Sequence, residues 1–242
     1  MAHKTQLDFV RSVSRSLPEY FLQQRVLEVG SLDINGSIRQ FFDRCDYTGI
    51  DVASGPGVDQ VCLGHEFKAP EASFDVTVSC ECFEHNPYWR ETLANMIRLT
   101  RPGGLILLTC ATTGRLEHGT TRTTPADSPL TIAKGWDYYR NLAPGDLKGA
   151  LDGLSAYRMW QAWNSFDLLM IGVRQGPLPP AWPQALATLD RQVEERQGPN
   201  RRMRATVARL GGDRAFTALR SAPSISWRLG QMLRPITDQR HD

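Results

Sequence analysis

Short apolar runs separated by polar turns mark the first half of the chain. Val26-Leu-Glu-Val29 runs into Gly30, and similar runs occupy 47–52, 59–62, 75–79 and 105–110. Runs this short and this apolar have the form of strands buried on both faces. Helical periodicity lies between and before them. Leu7, Phe9, Val10, Val13 and Leu17 recur at helical spacing over 5–17, with Pro18 as a stop. Further helices are predicted over 38–44 and 88–101, the second stopped by Pro102-Gly-Gly104. Strands alternating with helices imply right-handed βαβ units and therefore an α/β, doubly wound, Rossmann-like parallel sheet. Downstream, 111–135 reads as a long polar loop containing His118, and 135–149 as a helix with Trp136, Tyr138, Tyr139 and Leu142. A pair of strands over 157–163 and 166–173 then turns around Asn164-Ser165. Residues 176–183 form a proline-rich linker, and 184–234 read as helical, broken at Gly211-Gly212 and Pro223. The division expected is an N-terminal helix or lid over 1–24, a cofactor domain over 25–175 and a helical C-terminal extension over 176–242.

Composition narrows the class. With 242 residues, 41% hydrophobic and 22% charged, the chain has the make-up of a soluble globular protein. No apolar run approaches the ~20 residues a membrane span requires, and the first residues carry no signal-like apolar core. The 5 cysteines show no Cys-x-x-Cys spacing, as expected of reduced thiols in a cytoplasmic protein. Net charge is +2 but unevenly placed: from Arg196 to Asp242 ten arginines face three aspartates, a local +7 that leaves −5 for the rest. That asymmetry suits an assembly surface, and a homodimer is expected; nucleic acid is the less favoured partner.

The chemistry concentrates after the 75–79 strand. Glu81, Glu84 and His85 stand at i, i+3 and i+4, so a helical turn would bring them to one face. Two carboxylates and an imidazole at the carboxyl end of a parallel strand describe a divalent-metal site. Cys80-x-Cys82 lacks the second cysteine pair that a soft-metal site would need. Upstream, Gly30, the polar turn to Gly36 and Asp51 at the next strand end suit a nucleoside ligand, with the acid receiving ribose hydroxyls. The glycines are six apart, and Glu28 and Asp33 would repel a pyrophosphate, which argues against a nicotinamide cofactor.

Over residues 26–110 these features resemble the class I S-adenosylmethionine (SAM) methyltransferases. Glu28-x-Gly30 looks like their first motif, Asp51 like their ribose-binding acid, and Gly64-His65 falls where that family contacts adenine. Phe74-Asp75 and Arg101-Pro-Gly-Gly104 are similar to further hallmarks. The resemblance implies a seven-stranded sheet whose last strand is antiparallel. It also implies a SAM site on Glu28, Gly30, Ser31, Asp33, Asp51, Val52, Gly64, His65 and Cys80. Leu32 replaces the usual second close glycine, so a wider loop is expected.

Glu81-x-x-Glu84-His85 resembles the E-x-x-E-H signature of magnesium-dependent O-methyltransferases, known in small-RNA terminal 2′-O-methyltransferases and paralleled in ubiquinone-pathway enzymes. There a second histidine past the fifth strand completes the metal site, a position His118 would take. The resemblance thus implies Mg²⁺ on Glu81, Glu84, His85 and His118, with His118 or His85 as the catalytic base. A looser similarity to actinobacterial polysaccharide methyltransferases implies a sugar hydroxyl of a glycan or oligosaccharide as acceptor. A phenol or quinol and an RNA 2′-hydroxyl stay open, as does a catalytically silent scaffold binding RNA or protein. Aromatic residues at 136, 138, 139, 157, 160 and 163 are the candidate acceptor platforms or core.

Overall fold

The computed structural model describes residues 4–221; the expected break at Pro223 and the helix beyond it lie outside them. The elements are α1 (Lys4–Ser16), β1 (Arg25–Val29), β2 (Asp46–Asp51), β3 (Gln60–Val61), β4 (Phe74–Cys80), α2 (Trp89–Leu99) and β5 (Thr100–Ala111). They continue with α3 (Pro129–Ala133), α4 (Pro144–Leu147), β6 (Leu154–Ala162), β7 (Asp167–Arg174), α5 (Trp182–Glu195) and α6 (Arg201–Ser221). The seven strands form one sheet in the order β3-β2-β1-β4-β5-β7-β6. β1 to β5 pair in parallel, and β7 runs antiparallel to both β5 and β6. This is the expected seven-stranded α/β plan with an antiparallel final pairing, and helices follow at the C-terminal end.

Each face of the sheet has its own core. Val26, Val76, Val78, Leu105, Leu107, Leu169 and Ile171 face α1 and α5, meeting Phe9, Val10, Val13, Trp182 and Leu189. Leu27, Ile106, Leu108 and Met170 face α2, meeting Leu93 and Met96. Each such fully buried side chain stabilises the fold by ~1.5–3 kcal/mol. α5 is therefore packed into the first core through Trp182, Ala185, Leu189 and Val193. At the amino end of the parallel strands Asp75 accepts hydrogen bonds from Arg25 Nε (3.1 Å) and Arg101 Nε (2.6 Å). The two hallmark segments around Asp75 and Arg101 thus tie the sheet together at the edge away from the ligand-binding rim.

Three local expectations change. The predicted 38–44 helix is a 3₁₀ turn over Ile38–Phe41. The chain is drawn out of it because Asp43 N–H donates to Phe21 O and Phe42 stacks on Phe21 at 4.6 Å. The predicted 135–149 helix is mostly extended before α4: Arg140 N–H donates to Glu84 O and Leu142 N–H to Ala111 O, so these donors serve the sheet rim instead of a helix. Nor does a helix carry Glu81, Glu84 and His85 on a shared face. Glu81 takes φ +52°, its N–H donating to Thr109 O, and only a 3₁₀ turn over Phe83–His85 follows. Among the described residues no helix is long and apolar enough to cross a membrane.

Candidate active site

The carboxyl ends of β1, β2, β4 and β5 form the rim on which the candidate residues sit, as the crossover rule for open α/β sheets anticipates. After β1 the chain turns at Gly30 with φ +81°, where a Cβ would stand 2.5 Å from Cys82 Cβ. Glycine is required there because the loop after β1 and the turn after β4 touch. Glu28 is buried with Oε2 accepting the Tyr47 hydroxyl at 2.7 Å. Burial pushes its pKa up to about 7 against that hydrogen bond. Asp51 accepts Val52 N–H at 2.7 Å on Oδ1 and Leu32 N–H at 3.1 Å on Oδ2, leaving a further lone pair on each oxygen. Burial raises its pKa as well.

The other predicted cofactor residues divide. Ser31 is buried with its hydroxyl unpartnered, and Asp33 folds back to accept Gly36 N–H at 2.8 Å. Val52, half-buried, adds its backbone N–H to Asp51. Beside Gly64, His65 stacks on Tyr88 at 4.4 Å, and Tyr88 leads to Trp136 at 5.7 Å. Cys80 points into the α1-side core, its thiol pushed up to about 12 by burial. Cys82, which sequence reasoning passed over as a cofactor neighbour, is the cysteine standing against Gly30.

On the β4–β5 side, Glu84, His85 and His118 each offer a ligand atom, all within 4.8 Å of one another. Glu84 Oε1 accepts Ala111 N–H at 3.1 Å, while Oε2 is buried and unpartnered. His85 Nδ1 is likewise buried and unpartnered, the ring being hydrogen-bonded with the Tyr138 backbone. His118 Nδ1 lies 3.0 Å from Leu116 O, so Nδ1 carries the proton and Nε2 keeps its lone pair. Both imidazoles are neutral near pH 7. Burial and then the neighbouring His118 lower His85 to about 3, and burial and then Arg115 lower His118 to about 4. A buried carboxylate oxygen and two neutral imidazole nitrogens converge with nothing to bind, and that donor set fits a divalent cation. Gly119 (φ +65°) admits the ring of His85: a Cβ there would stand 2.6 Å from His85 Cε1.

Glu81 stands outside that trio. Both its oxygens are buried and unpartnered, and burial followed by the charge of Glu84 pushes it up to about 8. Sequence reasoning missed two of its neighbours. Asp167, at the head of β7, is fully buried with Oδ2 unpartnered. Arg115 Nη1 donates to Ser165 O at 2.7 Å and stands 3.4 Å from Asp167 Oδ1. An ion pair would ordinarily depress the acid, yet Asp167 is pushed up to about 8, since burial and then Glu81 outweigh that single guanidinium. The sequence signal for Asp167 was an acid opening the otherwise apolar run 166–173; Arg115, in a polar loop, gave none.

The aromatic candidates sort by position. Tyr139 meets His118 at 4.9 Å and His85 at 5.5 Å, and Trp136 borders the Tyr88 stack. Trp160 packs edge-on to Phe9 at 5.8 Å and donates to Asp190 at 2.6 Å, which makes it structural. It borders a hollow of about 490 Å³ between β6 and α5 that none of the rim residues lines.

A family profile described as a methyltransferase domain matches residues 1–129. No curated protein sequence matches. Among solved structures, the YcgJ protein of Bacillus subtilis is 12% identical over 69% of this chain and 99% of its own, with a TM-score of 0.47. The Burkholderia thailandensis 1,6-didemethyltoxoflavin-N1-methyltransferase, solved with its substrate and S-adenosylhomocysteine, is 17% identical over 71% of this chain and 80% of its own, with a TM-score of 0.48. A SAM-dependent methyltransferase of Mesorhizobium loti is 14% identical over 68% of this chain and 96% of its own, with a TM-score of 0.46.

Proposed function

Because this chain belongs to the methyltransferase-domain family, we propose that it transfers the SAM methyl group to a hydroxyl oxygen with the help of a divalent cation, Mg²⁺. The acceptor on this reading is a sugar hydroxyl of a glycan or oligosaccharide, and the enzyme works in the cytoplasm. The observation that carries the cation reading is the convergence of Glu84, His85 and His118 within 4.8 Å, with Glu84 Oε2 and His85 Nδ1 buried and unpartnered. Those three residues would hold the cation, which supplies Lewis acidity to an otherwise weakly nucleophilic alcohol.

The remaining roles fall to the chain itself. On the cofactor side Asp51 has lone pairs left for a ribose diol, Gly30 lets the backbone approach the ligand, and the His65–Tyr88 pair offers a stacking face for a base. His118 commits Nδ1 to the Leu116 carbonyl, and both imidazoles offer a ligand atom to the trio. Proton acceptance therefore passes from the histidines to Glu81, whose two oxygens have no partner and adjoin Glu84. In the field of a dication that carboxyl ionises and can take the hydroxyl proton on Oε1 or Oε2.

Acceptor chemistry is constrained by the same groups. Glu81, Glu84 Oε2, Asp167 Oδ2 and both amide atoms of Gln6, an acceptor and a donor, are buried without hydrogen-bond partners. Such a lining suits a ligand rich in hydroxyl donors and disfavours phosphates, supporting a neutral sugar over RNA. Tritiated methyl transfer onto mannosides, glucosides, catechols and short RNAs, with Mg²⁺ or with EDTA, tests the reading. Labelling of a glycoside that EDTA stops and Mg²⁺ restores is expected. Undiminished transfer in EDTA refutes the cation role, and labelling confined to catechol or RNA refutes the acceptor.

A further inference from the structure

His118 sits on a long loop, and the C-terminal helix reaches across to hold that loop. From α6, Asp213 Oδ1 accepts Gly114 N–H at 2.7 Å and Asn141 Nδ2 at 2.8 Å. Asn141 Nδ2 also donates to Arg115 O at 2.9 Å, while its Oδ1 lies 2.9 Å from the Tyr139 hydroxyl. That hydroxyl stands 3.1 Å from Leu116 O, the carbonyl that receives His118 Nδ1 at 3.0 Å. Arg220 Nη2 donates to Gly114 O at 2.6 Å, so α6 engages both polar atoms of that residue's backbone. Phe216 packs on Phe166 at 5.3 Å behind the same turn. The contacts run from Asp213 through Asn141 to the Tyr139 hydroxyl, whose single proton is shared between Asn141 Oδ1 and Leu116 O, the carbonyl that sets the orientation and protonated nitrogen of His118.

We propose that Asp213 is a positioning residue for the cation site, acting through Asn141 and Tyr139 to hold His118 with Nε2 turned toward Glu84 and His85. The inference rests on the cation reading above and extends it to a helix that sequence analysis treated as an assembly surface. Physically, the partners that fix an imidazole ligand's tautomer and ring plane are as important to the site as the ligand. Removing such a partner typically lowers metal affinity ~10–100-fold. Asp213 uses one oxygen for two donors, so an amide oxygen at that position can accept both, whereas a methyl group can accept neither.

The test is calorimetric titration of the full chain with Mn²⁺ as probe, alongside separate titration with SAM, on wild type, His118→Ala, Asp213→Ala, Asp213→Asn, Asn141→Ala and Tyr139→Phe. Expected are a ~10–100-fold loss of Mn²⁺ affinity in Asp213→Ala and Asn141→Ala and substantial rescue in Asp213→Asn, with SAM affinity unchanged throughout. Tyr139→Phe keeps the ring and removes only the hydroxyl, so it gives a smaller loss in the same direction even where Asp213→Ala fails to fold. A merely structural role would lower Mn²⁺ and SAM binding together. Wild type that takes up no Mn²⁺, or that binds it as tightly without His118, overturns the cation reading and this inference with it. Mn²⁺ affinity that falls in His118→Ala but not in Asp213→Ala, Asn141→Ala or Tyr139→Phe overturns this inference alone.

Discussion

Gly119→Ala puts a methyl group between the His85 ring and Ser128. The residue sits at φ +65°, and the added Cβ would stand 2.6 Å from His85 Cε1 and 2.7 Å from Ser128 Cβ. The left-handed conformation costs a non-glycine residue ~1–2 kcal/mol. Overpacking of a tight site adds ~1–3 kcal/mol. Against a comfortable contact of 3.4 Å, the imidazole or the loop must give by roughly 0.8 Å. A displacement near 1 Å at a reacting centre costs ~10²-fold in rate. Gly135→Ala is the matched control: it carries φ +81° but meets nothing within 4 Å, so it pays the backbone strain without the wedge. Mn²⁺ titration and methyl-transfer rates on both variants, with thermal midpoints, separate the two effects. Gly119→Ala is expected to lose ~10²-fold in turnover with weakened Mn²⁺ binding and intact SAM binding, while Gly135→Ala keeps both. Wild-type Mn²⁺ affinity and turnover in Gly119→Ala would refute the claim that His85 and His118 must converge.

Two further outcomes follow from groups at the rim. Asp51→Asn turns one amide donor toward Leu32 N–H or Val52 N–H, each of which now has a carboxylate oxygen to itself. A hydrogen bond to a charged acceptor is worth ~1.5–3 kcal/mol, so losing the carboxylate that would receive the ribose hydroxyls should lower SAM affinity, measured by calorimetry, at least ~10-fold; no change would remove Asp51 from the cofactor site. Asp167 is raised in the folded state from 3.8 to about 8 by burial and then Glu81. Between those values the native state holds a proton that the unfolded state has released, so cation-free stability is full at low pH and is lost as pH rises toward 8. The two depressed histidines act the other way near pH 6.5, where each is half protonated when unfolded, but over about pH 7.5 to 8 they are largely neutral in both states and contribute little slope. Urea midpoints in EDTA should therefore decline over that interval by at most ~1.4 kcal/mol per pH unit for this group, and Asp167→Asn should flatten the decline. An unchanged slope in Asp167→Asn would contradict the assignment.

The fold was legible in the chain because buried parallel strands announce themselves as apolar runs with glycine or acid at their carboxyl ends. Val26–Gly30 and the run into Cys80 became β1 and β4 almost at the expected limits. Legibility failed where backbone donors had better partners than a helix: Arg140 and Leu142 bond to the rim, and Asp43 pairs with Phe21. At the candidate site, spacing singled out Glu84 and His85 and the resemblance added His118, three residues that stand together in the fold. The shared helical face suggested by i, i+3, i+4 spacing does not exist, because Glu81 leaves the strand in a left-handed conformation. Arg115, Asn141 and Asp213 were invisible for a different reason. Their roles depend on where a loop and a helix separated by 99 residues meet, as Gly114 and Asp213 do, and no local pattern records that meeting.

The antiparallel course of β7 has a consequence for how the pocket floor can change. Because β7 begins where β5 ends, with Asp167 opposite Ala111 and Ala162, the rim there is built from a strand's opening residue. The short Trp163–Phe166 hairpin tip therefore governs where the buried acid stands, independently of the turn that carries Glu84 and His85. Lengthening that tip would reshape the Asp167 end of the rim and the Phe166–Phe216 contact while leaving the turn that carries Glu84 and His85 in place.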